Sequence, residues 1–210
     1  MMTPLKPIFF DRKDLEIISS FVEKNTSVLD LGCGDGSLLK KLKHERNIIA
    51  RGVDILEENI ISCITKGISV FQGNLDEGLA DYSDKSFDYV ILAQTLQVVH
   101  KPRMILNEAL RVGKSAIVSI PNFGYWQVRV KIGFTGKMPK LEFLPYEWYE
   151  TPNIRLLTIN DFRNLCKKDN ITIEKEIHTN LRDKSDSWLT RTWPNLFAQA
   201  SIFLVSKEKN

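Results

Sequence analysis

The stretch VLDLGCGDGSLLKKL, residues 28–42, decides the fold class of this chain. The apolar run VLDL at 28–31 predicts a buried parallel strand, and the alternating glycines of GCGDG at 32–36 predict a tight turn. In SLLKKL, residues 37–42, the leucines recur at the spacing of one helix face. A strand, a glycine turn and a helix N-terminus together form a cradle for a small ligand.

Outside this stretch, short apolar runs alternate with amphipathic segments. Further strands are predicted at 48–55, 68–74, 87–94, 115–121, 171–178 and 198–206. Helices are predicted from about Asp11, as N-cap, to Lys24, at 57–67, at 102–112 and at 158–169, the last N-capped by Thr158 or Asn160. Alternating strands and helices imply parallel pairing, and the last two strands, with no predicted helix between them, imply an antiparallel hairpin. The sequence therefore predicts an α/β fold with a doubly wound, mostly parallel seven-stranded sheet.

The composition predicts one globular domain over residues 1–210, with 43% hydrophobic and 26% charged residues. The net charge of +3 is too small to indicate a nucleic acid or an anionic membrane as partner. The three cysteines have no metal-ligand spacing and form an odd set, so we expect no metal site and a reducing, cytoplasmic location. No stretch has the pattern of a signal peptide or a membrane span.

The charges around the glycine turn restrict its ligand. A dinucleotide fingerprint, G-x-G-x-x-G, requires glycine at position 37, where this chain has Ser37. Asp30 and Asp35 would repel a pyrophosphate at short range. They suit a ligand with an ammonium and a sulfonium group, which is S-adenosylmethionine. The alternative is that the glycines make only a tight turn and that the acids are solvated.

Two more polar residues follow the ends of neighbouring strands. Asp54 closes the second strand, where its carboxylate can accept hydrogen bonds from both ribose hydroxyls, and the amide of Asn74 at the end of the third can pair with an adenine edge. Cys33 is expected to be a small filler in the turn. Since the strand ends meet at one crevice, we predict one nucleoside-type site. Its predicted residues are Asp30, Gly32, Cys33, Gly34, Gly36, Asp54, Ile55, Asn74, Leu75, Ala93 and Gln94.

The segment after the fourth strand, AQTLQVVHKP at 93–102, offers little chemistry. Methyl transfer needs the acceptor in line with the sulfonium, and a base where the attacking group carries a proton. Glutamine and threonine side chains in this segment are not bases. His100 is the only titratable candidate, although a histidine beside a loop Lys-Pro is more often a solvated surface residue. The catalytic residue is therefore left unknown.

An aromatic-rich insertion, residues 121–157, follows the fifth strand and also carries basic side chains. Three interpretations are open. The aromatic residues can pack as a lid over the sheet edge, they can bind a single-stranded nucleic acid together with the basic residues, which the modest total charge disfavours, or they can form a protein interface. As an interface, its expected anchors are Trp126, Arg129, Trp148 and Tyr149.

Residues 28 to about 121 resemble the class I S-adenosylmethionine-dependent methyltransferase fold. Many members have aspartate where this chain has Asn74, which is a departure from the pattern. The motifs SIPNFGYW, GKMP, LPYEWYETPNIRLLTINDF and WPNLF, with VLDLGCGDG and ILAQTLQVV, resemble the MetW family of methionine-biosynthesis proteins over nearly the whole length.

This resemblance implies a methyltransferase-like protein that works with a homoserine O-acyltransferase. The leading hypothesis is an accessory or regulatory subunit that binds S-adenosylmethionine or S-adenosylhomocysteine and contacts the acyltransferase through the insertion. The alternative is an active methyltransferase on an unidentified small-molecule acceptor, with the insertion as its lid. The missing base favours the first hypothesis, although an acceptor that is already anionic needs none.

Overall fold

The computed structural model describes residues 13–180 and 188–207, and its centre is the predicted seven-stranded sheet. The strand order is β3-β2-β1-β4-β5-β7-β6, in which β7 runs antiparallel to both neighbours and the other pairs are parallel. The strands are β1 Ser27–Leu31, β2 Ile49–Asp54, β3 Ser69–Gln72, β4 Phe87–Ala93, β5 Gly113–Pro121, β6 Ile171–Thr179 and β7 Ala200–Lys207. The predicted α/β class and the antiparallel end of the sheet are confirmed.

Helices cover both faces of this sheet. They are α1 Lys13–Phe21, α2 Ser37–Arg46, α3 Glu57–Thr65, α4 Pro102–Val112, α5 Trp126–Thr135, α6 Ile159–Lys168, α7 Trp188–Thr192 and α8 Pro194–Phe197, with a 3-10 turn at Leu75–Glu77. Alternate residues of β1 point to opposite faces. Leu29 and Leu31 pack in the core shared with α4 and α6, whereas Val28 packs with α1, α2 and α3. The site-bearing ends of the strands are thus fixed from both sides.

Helix starts follow local chemistry. Pro102 begins α4, where its missing N–H costs nothing. Thr158 caps α6 in a reciprocal capping box with Asp161, so of the two predicted caps the structure selects Thr158 and not Asn160. The predicted N-cap Asp11 lies outside the described residues.

Our sequence analysis missed one helix, and its expectation about the connection between the last two strands was wrong. The insertion contains a helix, α5, which has only Val128 buried and therefore lacks the apolar stripe that periodicity detects. The last two strands are not joined without a helix, because α7 and α8 lie between them. Helices of five and four residues are too short to show a period.

Within the described ranges, no helix has the length and apolar character needed to cross a lipid bilayer. The same residues contain no group of three or more His, Cys, Asp or Glu side chains placed to hold a metal ion.

Candidate functional site

The glycine turn between β1 and α2 uses its own N–H groups. The N–H groups of Gly32 and Cys33 both donate to the carbonyl of Val53, at 2.8 and 3.1 Å, and Gly36 N–H donates to the carbonyl of Cys33. Gly34 N–H donates to the Asp54 carboxylate at 2.8 Å. These donors are therefore not free for a phosphate, in contrast to a phosphate-binding turn, whose N–H groups face the ligand.

The glycines are required by backbone geometry. Gly32, Gly34 and Gly36 have φ of 77°, 53° and 75°, the left-handed region that other residues rarely adopt. A Cβ on Gly36 would also lie 2.7 Å from Cys63 Sγ, so the turn packs directly on α3. Over Gly34 there is open space, because no atom lies within 4 Å of the position that a Cβ would take. The exposed side of the turn is thus open for a ligand at Gly34.

Asp54 ties the end of β2 to this turn. Its carboxylate accepts from Gly34 N–H, from Leu56 N–H at 3.0 Å and from Asn59 Nδ2 at 2.9 Å. The predicted ribose acceptor is therefore beside the glycines, as expected. Three of its roughly four acceptor positions are already used by the protein.

Asp30, at the end of β1, is a buried carboxylate without a counter-charge. It is 2% exposed, and its Oδ1 has no hydrogen-bond partner among the described residues. Burial, followed by the nearby charge of Asp54, raises the pKa of Asp30 to about 7. Since buried polar atoms are nearly always paired, this oxygen indicates that a donor or a cation belongs there.

Asp35 is different from Asp30. Its carboxylate pairs with Lys66 Nζ and accepts from the Ser37 hydroxyl at 2.6 Å. Burial alone would raise the pKa of Asp35, but the hydrogen bonds from Lys66 and Ser37 hold this pKa below its usual range. Asp35 therefore fixes α3 against the turn, and of the two acids predicted to face a cation only Asp30 lacks a described partner.

The third strand end adjoins Asp54. Gly73 N–H donates to the main-chain carbonyl of Asp54 at 2.9 Å, which places Asn74 at the same edge. The Asn74 amide caps the 3-10 turn, accepting from Asp76 N–H at 3.1 Å and donating to Glu77 at 3.2 Å. Of the two apolar residues predicted here, Ile55 is exposed and Leu75 is buried in the core.

The fourth strand end meets the turn through Thr95, whose hydroxyl donates to the carbonyl of Leu31 at 2.7 Å. Ala93 is half-buried, and Gln94 follows it with a left-handed φ of 57°, a conformation that costs energy in a residue with a side chain. The Gln94 side chain accepts from Gln97 Nε2 at 2.8 Å and donates to Ser119 Oγ at 3.3 Å. No base is found among these side chains.

Cys33 and His100 lie at the margins of the predicted site. Cys33 Sγ is buried 3.8 Å from Cys63 Sγ, and burial first, then the charge of Asp30, raises the pKa of its thiol, which fits the predicted filler. The His100 side chain is exposed, and its main-chain N–H is held by Asp76 at 3.1 Å.

The insertion divides into a packed part and an exposed part. Tyr125, Val128, Phe143 and Leu144 are buried together, which matches the lid interpretation. Trp148 and Tyr149 instead form an exposed edge-to-face pair with ring centroids 5.5 Å apart.

The other two predicted anchors lie on α5. Trp126 is partly exposed. The Arg129 guanidinium already donates within the chain, to the main-chain carbonyls of Gly124 at 2.6 Å and Asn195 at 3.4 Å. Sequence reasoning missed two further exposed aromatic residues, Trp188 and Trp193, although the WPNLF motif contains the second of them.

Comparison with known proteins places this architecture in a family. A family model described as methionine biosynthesis protein MetW matches residues 12–205. The chain belongs to the MetW family. A curated MetW relative, the bifunctional methionine biosynthesis protein MetXA/MetW of Rhodopirellula baltica, is 37% identical over 205 residues, which are 93% of this chain and 33% of the relative. The chain thus spans a third of the length of that relative.

Solved structures show the same fold as this MetW chain. A methyltransferase of Thermotoga maritima, described as S-adenosylmethionine-dependent, superposes with a TM-score of 0.67 at 19% identity, covering 95% of this chain and 90% of that one. One from Methanosarcina mazei gives 0.66 at 19% identity over 99% and 100% of the two chains. At these identities the likeness shows the fold alone, which is the predicted class I methyltransferase architecture.

Proposed function

We propose that this MetW chain binds S-adenosylmethionine or S-adenosylhomocysteine at the glycine turn and acts as an accessory or regulatory partner of a homoserine O-acyltransferase. One observation carries the cofactor proposal. The buried Asp30 carboxylate has an unpaired oxygen among the described residues, at a turn in which the N–H groups of all three glycines and of Cys33 are already bonded. A site rich in acceptors and poor in donors suits the ammonium that both ligands carry, and it disfavours a pyrophosphate.

Each strand end would contribute to holding the cofactor. Asp30 would face its cationic end, and the open space over Gly34 lets the ligand approach the main chain. Asp54 has room for one ribose hydroxyl, and a second hydroxyl would have to displace a protein donor such as Asn59. Ile55 and Leu75 would contact the adenine, with Asn74 at its edge. When bound, S-adenosylmethionine supplies an activated methyl group.

The partner proposal rests on three observations. The relative is named for both MetXA and MetW functions in one chain, and we take its MetXA part to be the acyltransferase. The acceptor side of the cradle carries Gln94, Thr95 and Gln97, which are not bases and are bonded to one another or to the main chain. The exposed Trp148–Tyr149 pair is typical of residues that anchor protein interfaces.

Calorimetric titration tests the cofactor proposal. We expect S-adenosylmethionine to bind the wild-type chain, and the Asp54→Ala variant to bind it with roughly 2 kcal/mol less favourable free energy, because a ribose hydroxyl loses its charged acceptor. Nicotinamide adenine dinucleotide is the matched control and should not bind, since Asp30 opposes its pyrophosphate.

Equal affinity of both proteins for S-adenosylmethionine would remove Asp54 from the site. Micromolar binding of the dinucleotide would contradict our interpretation of the turn. Multiple turnovers of methyl transfer to a metabolite by the purified chain alone would favour the alternative, an active methyltransferase.

A further inference from the structure

All four tryptophans of the chain are exposed to solvent. The exposed fractions are 39% for Trp126, 71% for Trp148, 69% for Trp188 and 55% for Trp193. Tryptophan has a large, mainly apolar side chain, so its burial contributes strongly to stability or binding. It is enriched at the surfaces where proteins bind one another. Both Trp188, on α7, and Trp193, the N-cap of α8, lie outside the insertion, so an interface limited to the insertion does not account for them.

These two tryptophans are part of one aromatic ridge. The rings of Trp188 and Trp193 meet edge to face with centroids 6.2 Å apart, and Trp193 is 6.4 Å from the ring of Phe197. The contacts hold the indoles in place, so a partner that covers them loses little side-chain entropy.

Hydrogen bonds from Asn122 and Arg129 join this ridge to α5. Asn122, which is fully buried, donates from Nδ2 to the main-chain carbonyls of Asn195 at 3.1 Å and Ala198 at 2.7 Å. The Arg129 guanidinium reaches the same Asn195 carbonyl at 3.4 Å. The N-terminal part of α5, where Trp126 lies, and the α8 segment are therefore fixed side by side.

As far as the structure describes this surface, its helices carry basic side chains and no acidic ones. The sequences of α5, α7 and α8 contain Arg129, Lys131 and Arg191 and no acidic residue. A partner that fits this surface presents apolar pockets for the indoles and a negatively charged rim. A second copy of this chain, docked by the same face in a two-fold dimer, would instead bring these cations together.

We propose that the α5–α7–α8 surface, with Trp188 and Trp193 as its anchors, is the docking surface for the homoserine O-acyltransferase. The inference rests on the proposed partnership. The relative that contains MetXA and MetW in one chain supplies the occupant, since it keeps the two proteins permanently adjacent. The ridge on α7 and α8 gives that occupant a binding surface beyond the insertion.

The test measures the affinity of the full chain for the acyltransferase encoded in the same genome, by surface plasmon resonance. We expect the double variant Trp188→Ala/Trp193→Ala to bind at least roughly thirtyfold more weakly than the wild type, the usual cost of removing an anchor. Phe71→Ala is the matched control, because Phe71 is an aromatic residue exposed by 54% on β3, away from α7 and α8 across the sheet. It should bind like the wild type.

The outcomes are distinct. Unchanged affinity of the double variant, with wild-type binding intact, overturns the docking surface and leaves the partnership standing. Absence of wild-type binding overturns both. Sedimentation that shows the wild type as a dimer, and the double variant as a monomer, assigns the face to a second copy and overturns the proposal. If the double variant loses its fold, Trp188→Ala alone decides, because its side chain is the more exposed of the two.

Discussion

Among single residues, Asp30 is the one whose charge is least compensated by the described structure. The apolar strand β1 holds this carboxylate in the protein interior, near the C-terminal end of the strand. A second acid, Asp54, is close enough to affect its charge. Ionisation there is unfavourable because burial removes water and Asp54 repels the new charge. A bound cation would remove this cost. The residue that weakens the fold is thus the residue that would select the ligand.

The free energy of unfolding should respond to pH through Asp30. Its pKa is about 7 in the folded chain and near 3.9 when unfolded, so the folded state binds more protons between these values. Stability therefore falls as pH rises from 4 to 7. Asp30→Asn should remove this loss and raise the free energy of unfolding at pH 8 by roughly 4 kcal/mol, measured by urea denaturation. The same variant should bind S-adenosylmethionine more weakly.

Asp88→Asn is a control of opposite sign. Lys114, together with the Ser27 N–H, holds the pKa of Asp88 at about 2. The ionised Asp88 carboxylate therefore adds to the free energy of unfolding above the ordinary carboxyl pKa, and this stabilisation is lost as pH falls towards 2. Asp88→Asn should destabilise the chain at pH 8. If Asp30→Asn also destabilises the chain at pH 8, Asp30 is not an uncompensated charge.

At the element scale, the β1–turn–α2 segment was predictable because strand and helix periods and the glycines agree in one short stretch. The positions of Asp54 and Asn74 also followed, since the ends of parallel strands converge. The side-chain partners did not follow. The residues around Asp35 do not indicate that its partner is Lys66, which follows directly after α3. The helix α5 was missed because only one of its residues is buried. That residue packs on Phe143 and Leu144, which lie later in the chain, so the helix itself has no repeating apolar pattern.

The insertion is expected to contain two kinds of aromatic residue. Trp148→Ala removes an exposed side chain, so it should weaken binding to the acyltransferase and shift the melting temperature little. Phe143→Ala removes a buried side chain and should cost about 3–5 kcal/mol of stability. Differential scanning calorimetry together with the binding assay separates the two effects. A large fall in melting temperature for Trp148→Ala would identify the pair with Tyr149 as core, in favour of the lid interpretation.

At the scale of the whole molecule, the segment that follows β4 contacts both the glycine turn and the insertion. The turn contacts the end of β4 through Thr95, and the insertion joins the following segment by N–H donation from Ile154 and Arg155 to the carbonyl of Gln97. Binding at one place can therefore alter the other through adjoining main-chain segments. A coupling of about 1–3 kcal/mol is typical of such linkage and corresponds to roughly 5–150-fold in affinity.

If the proposed function is right, this MetW chain acts on an acyltransferase under the control of bound S-adenosylmethionine. The most direct measurement is the rate of homoserine acylation by that acyltransferase, alone, with an equimolar amount of the chain, and with the chain plus saturating S-adenosylmethionine. We expect the chain to change the acylation rate about fivefold or more, and S-adenosylmethionine to change it again. An acylation rate that is the same in all three mixtures would contradict the proposed function.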